Sequence, residues 1–144
     1  METLAESLLL IHVLAGIIAL LAAMSAVSFR KGAPKHNLAG RVYFWAMMTV
    51  AATAIPVSII RPNLMLFFVA LFSSYMAYAG WRLGRKARYL LSRPPFLEWG
   101  MLLVGLAMIS AGLVQVITGA SLGWVLVAFG AIAVLAWFLV RGVL

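Results

Sequence analysis

Four polar residues of this chain can bind ligands and lie among apolar neighbours. The imidazole of His12 can carry a proton or coordinate a metal, and the hydroxyl of Thr53 and the amide of Gln115 can donate and accept hydrogen bonds. The guanidinium of Arg61 binds carboxylates and phosphates. Because polar groups are costly in apolar surroundings, each is a candidate for function. What they do depends on the elements that hold them.

Five apolar runs without Asp, Glu, Lys or Arg contain or border these residues: 7–28, 42–60, 64–81, 99–119 and 121–140. Each run is long enough to cross about 30 Å of hydrocarbon as an α-helix. The chain is 66% hydrophobic with a mean hydropathy of +1.12, and its 10% of charged residues are too few for the surface of a soluble domain. The sequence predicts an all-α integral membrane protein, one transmembrane domain over 1–144 that forms a bundle of five transmembrane helices.

The basic residues indicate the orientation, because ten of the eleven fall in alternate gaps or after the last run. Lys and Arg are retained on the cytoplasmic side of membranes. We therefore expect the N-terminus outside and the C-terminus in the cytoplasm. The net charge of +8 favours contact with anionic headgroups at the cytoplasmic face rather than with nucleic acid. Arg61 is the exception, and the other ten are Arg30, Lys31, Lys35, Arg41, Arg82, Arg85, Lys86, Arg88, Arg93 and Arg141.

This topology brings the polar residues to one depth. His12, Thr53 and Gln115 lie roughly 6–10 Å below the external surface at the helical rise of ~1.5 Å per residue. Gly16 shares the face of His12, and Arg61 lies at the rim. The pattern predicts an externally facing polar pocket around His12 that binds a small ligand or a partner helix. In the alternative, His12 bonds Gln115 or the carbonyl of Ala52, which Pro56 frees by lacking an N–H, and only fixes helix packing.

The second histidine, His36, lies in the basic first gap close to Arg41. It could cap the second helix, bind a headgroup phosphate or ligate a cofactor. His12 and His36 are roughly 20–25 Å apart along the membrane normal at helical rise, so one protomer cannot hold one haem between both imidazoles. A haem held by a histidine and one of the eight methionines stays open. So do a haem shared across a dimer, a quinone-binding redox protein and a small transporter.

Other chemistry finds little support. The chain has no cysteine, which rules out disulfides, iron–sulfur clusters and thiolate metal sites. It has no His pair at metal-binding spacing, no glycine-rich phosphate loop and no carboxylate within an apolar run. We expect no catalytic residue and no metal site, and we favour a protein that is not an enzyme.

Small residues predict close helix contacts, since apolar burial drives no association between helices in lipid. The first run has an alanine-rich face, and two glycines that bracket Gln115 in the fourth run suggest a close helix contact. Faces of this kind also suit a homo-oligomer or a partner membrane protein. The small residues on one face of the fourth run are Gly105, Gly112 and Gly119, and those through which the fifth run could pack are Gly123, Gly130 and Ala131.

Three short motifs carry a family resemblance: His12-Val13-Leu14-Ala15-Gly16, Arg30-Lys31-Gly32, and His36 to Tyr43 followed by Phe44-Trp45-Ala46-Met47. Over about the first third of the chain, the sequence resembles a family of uncharacterised bacterial multi-pass proteins that contain a domain of unknown function. The resemblance implies that His12, Gly16, Gly32, His36 and Gly40 belong to one shared design, and it implies no activity.

Overall fold

The computed structural model describes residues 2–84 and 95–142, and its regular secondary structure is entirely α-helical. Four of the helices are long and apolar enough to cross a membrane, and the fifth contains a shorter apolar stretch, Gly123–Phe138. The predicted all-helical fold is confirmed, while the number of crossings, their orientation and the single domain stay predictions. The helices in the described residues are α1 (Glu2–Ser28), α2 (Pro34–Ile60), α3 (Leu64–Leu83), α4 (Pro95–Ile117) and α5 (Gly123–Gly142).

Three helices, α1, α2 and α4, begin before the apolar runs that predict them, and two of these begin with proline. Helix α2 begins at Pro34 rather than Val42, and α4 begins at Pro95 rather than Trp99. Proline suits the first helical turn because its missing N–H would have no partner there and its φ is already helical. The polar first turns therefore extend each helix beyond its apolar run. Of the predicted cytoplasmic basic residues, Arg85, Lys86, Arg88 and Arg93 lie outside the described part of the chain.

The chain divides into two compact units, residues 1–85 and 86–144. In the first unit, α2 lies between α1 and α3 and packs against both. Both helices of the α1–α2 contact carry buried alanines, and Ala15, Ala19 and Ala22 of α1 follow one another at steps of four and three residues, as the sequence predicts for the first helix. Small residues at this spacing let two helix backbones approach closely along a straight seam. The buried alanines of α1 are Ala5, Ala15, Ala19 and Ala22, and those near the start and middle of α2 are Ala39, Ala46, Ala51 and Ala54.

The second unit is a hairpin of α4 and α5 held by glycines. A Cβ added at Gly112 would lie 2.6 Å from the carbonyl oxygen of Gly123, and one added at Gly130 would lie 2.6 Å from that of Gly105. Only glycine allows backbones to meet this closely. The close contact predicted for the glycine face of the fourth run is present at Gly105 and Gly112, and it meets Gly123 and Gly130. Gly119 is not part of it, because a Cβ there would meet nothing within 4 Å among the described residues. The prediction for Ala131 is wrong, because Ala131 is exposed and the seam instead buries Ala133.

Large apolar side chains cover the outside of α1. Leu20, Leu21 and Met24 are each more than half exposed, and Val27 is 88% exposed. Only 17% of the most apolar window of this helix is buried within the structure. A contiguous apolar surface of this extent is suited to hydrocarbon and not to water.

Candidate functional site

His12 is fixed to α2 by its ring. Its Nδ1 lies 3.1 Å from the carbonyl oxygen of Val50 and 3.2 Å from Oγ1 of Thr53. A carbonyl oxygen can only accept, so Nδ1 carries the proton and donates it. The hydroxyl of Thr53 in turn donates towards the carbonyls of Thr49 and Val50, at 2.9 and 3.0 Å. His12 and Thr53 thus meet as predicted, in an arrangement that joins two helices.

The other residues predicted for the His12 pocket have different surroundings. A Cβ added at Gly16 would meet no atom within 4 Å among the described residues, so Gly16 does not make a close backbone contact there. Arg61 donates to Glu2 at 2.9 Å, and both side chains are exposed. Gln115 is half-buried on α4 in the second unit, where its Cβ lies against Gly123. Within the first unit, His12 and Thr53 are therefore in direct contact, and Gly16 and Arg61 have other neighbours.

His36 forms the reciprocal contact at the other end of the α1–α2 pair. Its Nδ1 lies 2.9 Å from the carbonyl oxygen of Ala26, in the last turn of α1. Carbonyls in the last turn of a helix lack intrahelical partners, and a histidine there satisfies one of them. One of the three roles predicted for His36 was to cap the start of α2. In the structure, His36 instead caps the end of α1. The N-cap residue of α2, Ala33, has no side-chain capping bond.

The two histidine contacts occupy the same register of the antiparallel pair. His12 on α1 faces Val50 on α2, and His36 on α2 faces Ala26 on α1, so donor and acceptor on each helix are fourteen residues apart. At 1.5 Å per residue, about 21 Å separates the two contacts. One haem therefore cannot be held by both imidazoles of one protomer, in agreement with the spacing argued from the sequence.

A cavity of about 560 Å³ opens between α2 and α3 beside His36, and we call it the His36 cavity. Its volume falls within the ~300–1,000 Å³ typical of small-molecule sites. Its polar lining consists of His36, Asn37, Arg41 and Tyr43, all from the first three turns of α2. The remaining lining residues are Gly40, Phe44, Met76, Ala77, Gly80, Trp81 and Gly84.

The walls of the His36 cavity are aromatic, and part of its lining is glycine. The rings of Phe44 and Trp81 stack across the two helices, with centroids 4.9 Å apart and planes 17° from parallel. Among the described residues, a Cβ added at Gly40 or at Gly80 would meet nothing within 4 Å, so within that part of the chain these glycines border open space and not a packed contact. A flat apolar ligand could lie in this space, with the polar groups of α2 at its edge.

The hydrogen bond of His36 determines what its second ring nitrogen can do. Because Nδ1 donates to Ala26, Nε2 of the neutral ring carries a lone pair, the tautomer in which histidine accepts a proton or binds a metal. Among the described residues, no hydrogen bond is formed by this Nε2. Arg41 adds a fixed positive charge to the same lining. The cavity therefore combines an acceptor, donors and a cation next to stacked rings.

Sequence reasoning missed several residues that the structure brings to functional positions. Phe44, Met76 and Trp81 line the His36 cavity, although their apolar character in apolar runs gave no signal beyond packing. Glu98 is 8% exposed at the beginning of α4, so this carboxyl is buried in the second unit. Glu98 lies directly before an apolar run and among basic residues, and this position could have indicated that its carboxyl is buried.

Comparison with protein-family models, curated proteins and solved structures finds no match to this chain.

Proposed function

We propose that the protein is a multi-pass membrane protein that binds a small, membrane-soluble ligand in the His36 cavity. The ligand class that suits the lining is a flat ring with oxygen atoms at its edge, such as a quinone. The observation that carries the proposal is the combination, in one cavity, of oriented His36, Arg41 and the Phe44–Trp81 stack. Arg41 and Tyr43 can donate to ligand oxygens, while the aromatic walls contact the ring.

The membrane setting of this proposal is five crossings with the N-terminus outside, in a bacterial inner membrane. The pairing of Arg61 with Glu2 supports it, since the pair joins the start of α1 to the end of α2, and five alternating crossings require these two ends on the same side. With that orientation, the His36 cavity lies at the cytoplasmic end of α2 and α3. A quinone enters such a site from the hydrocarbon without crossing a polar barrier.

The experiment is a titration of the purified full-length protein with a short-chain ubiquinone, followed by thermal unfolding in detergent. A ligand at 100 times its Kd adds about 2.7 kcal/mol of stability. Gly80→Leu fills the cavity from a position where a Cβ meets nothing, and we expect it to abolish this stabilisation while the protein stays folded. Gly100→Leu is the matched control, because a Cβ there also meets nothing within 4 Å in the part of the chain that the structure describes, and Gly100 does not line the cavity.

Equal stabilisation of both leucine variants by the quinone would overturn the assignment to this cavity. If Arg41→Gln loses quinone binding and Arg30→Gln keeps it, the guanidinium of Arg41 in the cavity lining takes part in binding. The externally facing pocket around His12 is the competing proposal, and it requires that His12→Leu abolishes binding. The bonds of His12 to α2 favour the structural role, because they occupy the donor of its ring.

A second candidate, a haem protein, is favoured by one observation: His36 and Met76 line the same cavity. Imidazole and thioether together are a known axial pair for haem iron. The Nδ1–H of His36 donates to a carbonyl, as metal-bound histidines commonly do, and Arg41 could pair with a carboxylate of the macrocycle. Absorption spectra of haem-supplemented protein, oxidised and reduced, test this. A Soret band lost in His36→Ala and shifted in Met76→Leu supports the site, and a featureless spectrum removes it.

A further inference from the structure

A second depression lies on the α1–α2 surface, on the faces of these helices that α3 does not cover, and we call it the α1–α2 groove. It encloses about 680 Å³. Its floor contains the small, buried side chains of Ala15 and Ala46, which belong to the alanine seam. Larger exposed side chains form its sides: Ile11, Leu14 and Ile18 from α1, and Leu38, Val42 and Trp45 from α2. The seam that lets the helices approach also produces the groove.

The length and the charge of the groove indicate what fills it. Along α2 it runs from Leu38 to Thr49, about 16 Å at helical rise, which is close to half of the ~30 Å hydrocarbon thickness. Its lining is apolar apart from Thr49, the indole N–H of Trp45 and the guanidinium of Arg41, which lies towards the basic end. An apolar channel as long as one leaflet with a cation near the headgroup level is complementary to one phospholipid.

We infer that the α1–α2 groove binds an anionic phospholipid, with one acyl chain lying between α1 and α2 and the phosphate on Arg41. Arginine forms two parallel hydrogen bonds to phosphate oxygens, and its long stem reaches the headgroup region from within the hydrocarbon. Trp45 lines the groove one helical turn beyond Arg41, so its ring would contact the acyl chain. This inference rests on the membrane setting proposed above and does not require a ligand in the His36 cavity.

The test is native mass spectrometry of the protein in mild detergent, titrated with dioleoyl phosphatidylglycerol or with dioleoyl phosphatidylcholine. Both lipids offer a phosphate to Arg41, but the choline cation of phosphatidylcholine cancels its charge. We therefore expect one saturable site that binds phosphatidylglycerol about five-fold more tightly, the factor for one basic residue at a headgroup with net negative charge. Arg41→Gln should remove this preference. Val42→Trp should abolish the site by filling the groove from an exposed position, whereas Leu20→Trp, exposed on α1 outside the groove, should leave it unchanged.

Equal affinity for the two lipids, or identical binding by the Val42→Trp and Leu20→Trp variants, would overturn the inference. Gly80→Leu separates it from the proposed function, because this substitution fills the His36 cavity and not the groove. Retained phosphatidylglycerol binding in Gly80→Leu supports a distinct lipid site even where the quinone titration fails. Loss of the lipid in that variant would contradict it.

Discussion

Gly112→Ala should measurably destabilise the α4–α5 hairpin. A Cβ at this position would lie 2.6 Å from the carbonyl oxygen of Gly123 and 2.9 Å from the backbone N of Val127. Ordinary Cβ contacts begin at 3.4 Å, so the closest approach is short by about 0.8 Å. Both neighbours are backbone atoms and cannot rotate away as a side chain would. The added methyl group therefore has to move one helix relative to the other.

The energetic consequence follows from the size of that movement. Opening a packed contact by 0.5–1 Å forfeits about a quarter to a half of its dispersion energy, and overpacked positions typically lose about 1–3 kcal/mol. Alanine regains up to about 1 kcal/mol of helix propensity over glycine. Gly100 lies in the same helix, and no described atom lies within 4 Å of a Cβ added there. Gly100→Ala should therefore keep the stability of the wild type or gain up to about 1 kcal/mol from helix propensity. Because Gly100→Ala gains the same propensity, we expect Gly112→Ala to be less stable than Gly100→Ala by about 1–3 kcal/mol.

The measurement is reversible unfolding of both variants in mixed micelles with increasing dodecyl sulfate, followed by helical circular dichroism. Gly130→Ala provides an independent second case, because its Cβ would lie 2.6 Å from the carbonyl oxygen of Gly105. If Gly112→Ala and Gly130→Ala unfold at the same denaturant fraction as Gly100→Ala, the close backbone contact does not stabilise the hairpin, and the reasoning is refuted.

Three further predictions concern the first unit. His12→Leu should lower stability by about 1 kcal/mol, the scale of one interhelical hydrogen bond in a membrane, and should leave quinone binding intact; loss of binding would support the pocket around His12. Glu2→Gln should change the unfolding midpoint by less than about 1 kcal/mol, because its ion pair with Arg61 is exposed, and a larger loss would contradict this. Since the chain has no cysteine, a membrane-impermeant maleimide added to intact cells should label Thr3→Cys and not Lys31→Cys, and the reverse pattern would overturn the orientation.

The helical architecture was predictable because apolar length and small-residue spacing are local properties. Gly105 and Gly112 are seven residues apart, which places both on one side of α4 and predicts the seam that the structure shows. The error at Ala131 has a geometric origin. Ala133 follows Gly130 at a step of three and stays on the seam. Ala131 follows Gly130 directly, and one residue along a helix turns the side chain about 100° away from the seam.

The contacts of the histidines could not be deduced in the same way. The bond of His36 to Ala26 depends on how the intervening turn folds the chain back, including a positive φ of 84° at Gly32. The acceptor for His12 is Val50, and not the carbonyl of Ala52 that Pro56 would free by removing its own N–H. The His36 cavity escaped prediction because half of its wall comes from α3, and apolar residues such as Trp81 do not indicate whether they pack or line a space.

The two histidines share one packing role and differ in what surrounds the rest of the ring. Each donates Nδ1–H to a carbonyl across the α1–α2 seam, so both rings are held in the same tautomer. His12 has Thr53 as its second neighbour, and it lines neither the His36 cavity nor the α1–α2 groove. His36 lines a cavity together with Arg41, and the bond that fixes its packing also orients Nε2. A substitution that keeps the donor but lacks the second nitrogen separates these roles. His36→Asn should therefore preserve stability better than His36→Ala, while both variants lose the ligand.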